Sequence, residues 1–184
     1  MKKTEAKKQA IIEKLSDHLL ASGMKGSSLR MLAGAVGMSD RMLLHYFVDK
    51  EELMTSTLLR ISAQLQNRLN QARTEPLPLH QLVPQLACMM KDPQIRPYLK
   101  LWLELAASAV ADEPYHRTIA RQICDSFFTS VASALQVEHE EDRRPLAALA
   151  FAAVEGLVLL DTLGADSLVA SALEGIKKEP FGSK

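Results

Sequence analysis

Apolar residues recur at three- and four-residue intervals along nearly all of this 184-residue chain, and no segment alternates apolar and polar residues with period two. Wound as α-helix, each segment carries one apolar stripe, which constrains the chain to an all-α fold. A first helix is predicted over about residues 4–22, with Ile11, Ile12, Leu15, Leu19 and Leu20 on one face and Gly23 and Gly26 at its end. Asp49 caps a long helix that opens with Glu51 and Glu52 and carries Leu53, Leu58, Ile61, Leu65 and Leu69 to about Arg73. Pro76 and Pro78 then break the chain. Further helices are predicted at about 79–91, 94–111, 115–136, 144–163 and 166–178. Pro93, Pro97, Pro114 and Pro145 fall at or near helix starts, where a missing N–H costs little. Pro84 lies inside a helix and is expected to kink or restart it.

Residues 28–50, SLRMLAGAVGMSDRMLLHYFVDK, break this pattern of long helices. Ser28 precedes Leu29, Leu32, Ala33 and Val36, an i, i+3, i+4, i+7 set, and so reads as an N-cap. Gly37 is a helix stop, since glycine accepts the left-handed backbone there. Ser39 caps a second short helix, predicted from 40 to about 47, with Asp40 in its first turn. Such a helix is too short to stand alone and must be held by its neighbours. Two short helices joined by a glycine-containing turn make a helix-turn-helix, whose second helix enters a DNA major groove. Leu32, Val36, Leu43 and Phe47 are its predicted core.

The net charge is zero but unevenly spread. Residues 1–50 carry nine Lys/Arg against five Asp/Glu, a net of +4, and the remainder carries −4. A basic head on an acidic body suits a protein that touches a polyanion with one end. Cys88 and Cys124 are too few for a disulfide scaffold and read as a reduced pair. The N-terminus is charged, with no signal-peptide pattern, and the most apolar stretch, 146–163, contains Glu155 and Asp161. It reads as a helix buried on several sides rather than a membrane span, and the expected location is cytoplasmic. Five scattered histidines and two cysteines show no metal-ligand spacing, and no nucleophile–base motif, phosphate loop or catalytic carboxylate pair is present. No enzyme, metal or cofactor is expected.

The helix-turn-helix resembles that of the TetR family of bacterial transcriptional regulators. The resemblance rests on S-L-R-M-L-A at 28–33, V-G-M-S at 36–39, L-L-H-Y-F at 43–47 and D-K-E-E-L at 49–53. It implies a DNA-binding domain at 1–50 and an effector-binding and dimerisation domain at 51–184, with the helix of 50–73 connecting the two. It further implies that Arg30 reaches a base or phosphate and that Asp40, Arg41, Met42, Leu44 and His45 form the exposed face of the recognition helix. Tyr46 and Lys50 match phosphate-binding positions, and the capping Ser28 and Ser39 complete the candidate DNA-contact set. Chemistry agrees at three of these: Lys50 beside free N–H groups suits phosphate, Arg41 has the fork that guanine accepts, and Met42 suits a thymine methyl. Three positions depart from the family pattern. Arg41 replaces a small residue, Leu44 a tyrosine and Tyr46 a histidine, which implies an unusual operator or weakened DNA binding.

Beyond residue 76 the resemblance is architectural. Residues 144–163 hold many small side chains and, with 115–136, are expected to form a four-helix bundle with a second copy. The candidate dimer residues are Ile123, Phe127, Val131, Ala148, Ala152, Glu155, Gly156 and Leu159. A small-molecule pocket is expected among Leu86, Met89, Met90, Tyr98, Trp102, Leu105, Phe127 and Phe128. Glu104, Glu155 and Asp161 interrupt apolar stretches and read as ligand contacts, interface residues or solvated acids. The expected function is that of a homodimeric regulator, most simply a repressor, that binds a palindromic double-stranded DNA operator and responds to a small-molecule effector. The alternative is a small-molecule binding or interaction protein of the same fold that has lost sequence-specific DNA binding.

Overall fold

The computed structural model describes residues 2–25, 27–71, 75–111 and 114–178; Gly26 and Arg73, discussed above, lie outside them. Among the described residues the chain is all-α. The helices are α1 (Lys2–Ser22), α2 (Leu29–Ala35), α3 (Asp40–Leu43), α4 (Lys50–Gln71), α5 (Leu79–Met89), α6 (Arg96–Val110), α7 (Pro114–Ala134), α8 (Arg143–Thr162) and α9 (Asp166–Lys178), with a 3-10 turn at Glu140–Asp142 before α8. The one pairing of extended backbone described is a bridge between Leu77 and Leu135. Pro84 neither ends nor restarts α5, which runs through it as one helix.

The chain divides into two compact units. One comprises residues 1–65 and 97–123, the other 66–96 and 124–184. This differs from the expected division after residue 50, and the physical reason lies in α4. Its first four turns bury Leu53, Met54, Thr57, Leu58 and Ile61, and polar ties hold them to α1. Lys8 pairs with Glu52, and Arg60 pairs with Glu13 at 3.4 Å. The first half of α4 is therefore part of the head rather than a connector.

In the first unit α1 buries Ile11, Ile12, Leu15 and Leu19, the stripe its spacing predicts, while Leu20 is half-buried. Each fully buried leucine stabilises the fold by roughly 1.5–3 kcal/mol in transfer free energy. Leu32, Leu43 and Phe47 are buried beside them and Val36 is half-buried. The buried hydroxyls of Ser16 and Thr57 donate to Ile12 O and Leu53 O, both at 2.8 Å, so neither is left unsatisfied.

In the second unit α5, α7, α8 and α9 share one core, built on Leu82, Val83, Leu86, Leu135, Ala147, Ala150, Val154, Leu157 and Val169. Arg143 closes the end of α7. Its Nη1 donates to Ala132 O and Leu135 O at 2.9 and 2.7 Å, adding a side-chain donor where the helical hydrogen-bond ladder runs out. Within the single chain α8 has two unlike sides. It is buried on one side only, through Ala147, Ala150, Val154, Leu157 and Val158, while Ala148, Leu149, Ala152, Gly156 and Leu159 are exposed. Residues 140–162 are long and apolar enough to cross a membrane by length and composition alone. A core helix passes the same test, and Asp161 within this one pairs with Arg96 at 3.2 Å.

Candidate nucleic-acid interface

Two serine caps and one glycine shape the motif. Ser28 holds an extended backbone and its Oγ accepts from Met31 N at 3.3 Å; Ser39 does the same for Met42 N at 3.3 Å. Each satisfies one of the N–H groups that a helix start leaves without a partner. Gly37 has φ +70°, and Met38 N donates to Ala33 O at 2.9 Å across the turn. A side chain at position 37 would meet no neighbour but would hold a strained backbone, so glycine is required there by conformation rather than space.

The recognition element is shorter than its spacing predicts. Regular helix ends at Leu43, and Leu44, His45 and Tyr46 follow in a tightening turn, with His45 N donating to Met42 O and Tyr46 N to Leu43 O. The cause is Phe47, which must reach the core and draws the chain inward. With Leu43 and Phe47 facing inward, the remaining side chains face out. Met42 is 54% exposed and Leu44 43% exposed. Arg30, Arg41, His45 and Lys50 are exposed, while Asp40 and Tyr46 are half-buried. The His45 and Tyr46 rings meet edge to face at 5.4 Å. Among the described residues, Arg30, Arg41 and Lys50 form no ion pair. Their charge is therefore open to an external anion.

Two features that position this face were not read as such from sequence. Glu52 ties the exit of the recognition turn to α1: its Oε2 accepts from Val48 N at 2.6 Å, its Oε1 holds Lys8 Nζ, and Lys8 lies 4.9 Å from the centre of the Phe47 ring. Asp49 Oδ1 accepts from Glu52 N at 2.7 Å, capping the start of α4. The Lys8 ammonium, followed by the Val48 N–H, holds the Glu52 carboxyl below the usual glutamate range. The second feature is Glu104 on α6, which accepts from Met24 N at 2.6 Å just past the end of α1. It packs so closely that a Cβ at Gly23, whose φ is +78°, would lie 2.6 Å from Glu104 Oε1. Glu104 and Asp161, both carried as possible ligand contacts, are thus engaged by the chain itself.

The other candidate residues fall in both units. Of the pocket set, Tyr98 and Leu105 are buried and Trp102 is half-buried in the first unit. Leu86 belongs to the core of the second, with Met89, Met90 and Phe128 packed against it, and Phe127 is half-buried there. Of the dimer set, Ala148, Ala152, Gly156 and Leu159 line the open side of α8 and Glu155 is half-buried. Val131 and Ile123 point into the chain's own core. Among the described residues no group of three or more His, Cys, Asp or Glu could hold a metal ion.

No protein-family model and no curated protein matches the sequence. Solved structures do. A putative TetR-family transcriptional regulator from Rhodococcus is 22% identical with a TM-score of 0.69, over 93% of this chain and 98% of that one. A putative transcriptional regulator of the TetR/AcrR family is 26% identical with a TM-score of 0.67, over 94% and 97%. The multidrug binding protein EbrR, solved with imidazole, is 19% identical with a TM-score of 0.62, over 94% and 96%. The helix-turn-helix on an all-α body defines the class, a helix-turn-helix regulator rather than an enzyme. Within that class the chain carries the TetR fold, over more than nine-tenths of its length, and this likeness supports DNA-binding regulation of transcription.

Proposed function

We propose that the chain represses transcription in the bacterial cytoplasm by gripping a palindromic operator as a homodimer and releasing it when a small molecule binds. The observation that carries this reading is the outward face of α2 and α3. Arg30, Arg41, His45 and Lys50 are exposed, as are Met42 and Leu44, with no ion pair quenching the three permanent cations among the described residues. Lys50 at the start of α4 suits a phosphate, and Arg41 suits guanine O6/N7.

A single helix-turn-helix grips a half-site weakly, so a second copy is needed. The open side of α8 supports pairing: Ala148, Ala152 and Gly156 permit close approach of another helix, and Leu159 is 49% exposed. An effector acts by favouring a state in which the two recognition turns no longer match successive major grooves. For the effector, the Met89 side chain is a candidate contact; it lines a cavity of about 410 Å³ with Arg68, Asp92 and Gln94. A gel-shift series with the DNA upstream of the gene tests the reading. It predicts binding roughly 10³-fold or more tighter than to random competitor at moderate salt. Equal affinity for both would refute it.

A further inference from the structure

A cavity of about 550 Å³ lies within the first unit, walled by the segment after α1, the start of α4, the middle of α6 and the start of α7. Its wall chemistry is lopsided. Glu104 is the acid there, and its carboxylate already accepts the Met24 N–H. Lys25 and Lys50 are the cations, and among the described residues neither forms an ion pair. The same cavity is lined by a polar aromatic pair, Tyr115 and His116. His116 is only 6% exposed, its Nδ1 lies 2.6 Å from Ser108 Oγ, and its ring centre lies 3.9 Å from that of Tyr115. Two uncommitted ammonium groups near flat rings suit an anion attached to a flat apolar body, held by charge at one end and by ring contact at the other.

Lys50 and Ser28 line this same cavity. The proposed function places Lys50 against a DNA phosphate. We propose that the cavity is an effector site for a small aromatic acid, carboxylate or phosphate monoester, which takes Lys50 from the operator backbone and so weakens DNA binding by direct competition. The regulatory half of this inference rests on the proposed DNA-binding function; the binding half does not.

The test titrates full-length protein with sodium benzoate, phenyl phosphate, benzyl alcohol and benzylammonium chloride, followed by backbone amide NMR. Saturable shifts at residues 25, 27, 28, 50, 108 and 115–116 with one or both acids, at least tenfold tighter than with the alcohol or the amine, are the expected result. Benzoate against phenyl phosphate identifies the preferred acid group. The pair Lys25→Met and Lys50→Met, both at exposed positions, should weaken acid binding at least tenfold while leaving the circular dichroism spectrum unchanged. Equal response to all four probes, or shifts confined to other residues, overturns the site. Acid binding that leaves operator affinity unchanged, while Lys50→Met alone lowers it, overturns the competition. If no DNA is bound specifically under any condition, the proposed function fails, and the acid titration still decides the site.

Discussion

Both α3 and α8 expose apolar side chains, yet their surroundings differ. Beside Met42 and Leu44 in sequence stand the exposed Arg41 and His45, with the exposed Lys50 opening the next helix. Around Leu149 and Leu159 on α8 stand Ala148, Ala152 and Gly156. Apolar exposure alone does not name a partner; the charge beside it does. A cationic rim keeps the first patch hydrated and favours a polyanion, whereas an uncharged strip of small residues gains only by meeting another apolar surface. The first patch is also held from behind, by Lys8, Phe47 and Glu52. The proposed regulator needs both: one surface to read DNA and the other to set two readers at a fixed spacing.

Breaking the α8 surface should have the largest effect. Leu159→Arg introduces a like charge on both sides of a twofold contact and should convert a dimer to a monomer in light scattering. Operator affinity should fall by about 100-fold or more, since half-sites are then gripped singly. Next, Arg41→Ala should weaken operator binding by about 1–3 kcal/mol and relax preference at one base pair, measured by competition among operator variants. A uniform loss across all sequences would instead make Arg41 a phosphate contact.

Smaller effects concern the support behind the first surface. Gly23→Ala places a Cβ against the Glu104 carboxylate and keeps a left-handed backbone, and should lower unfolding free energy by about 1–2 kcal/mol. Glu104→Gln should cost less, because its amide oxygen still accepts the Met24 N–H. Glu52→Gln should cost about 1 kcal/mol at neutral pH, measured by urea unfolding. Its pH dependence follows from the lowered carboxyl. The stabilisation is complete above the usual glutamate value of about 4.3 and is lost as pH falls through the lower folded value. The gap between wild type and variant should therefore close in acid; a gap constant with pH would show that the Lys8 contact does not depend on charge.

Much of this was legible from residue order, for a local reason. Helix ends depend on caps, prolines and glycines within a few residues, so Ser28, Gly37, Ser39 and the Leu79 start of α5 read correctly. The recognition element was misjudged in length because the inward pull on Phe47 competes with helix continuation. The one-sided burial of α8 was illegible, since alanine and leucine all round a helix do not say which side the chain itself covers. Lys8–Glu52 and Glu104–Met24 join residues 44 and 80 apart, and no spacing rule reaches that far. The inclusion of the first half of α4 in the first unit follows from such distant ties, Lys8–Glu52 and Arg60–Glu13.

Hydroxyl-radical footprinting of the upstream DNA with full-length protein tests the central claim, that the outward face of α3 reads duplex DNA in paired copies. The account predicts two protected patches on one face of the duplex, about one helical turn or a whole multiple apart, both weakened by Arg41→Ala. Protection no different from that of unrelated DNA, or a single patch unaffected by that substitution, would contradict it.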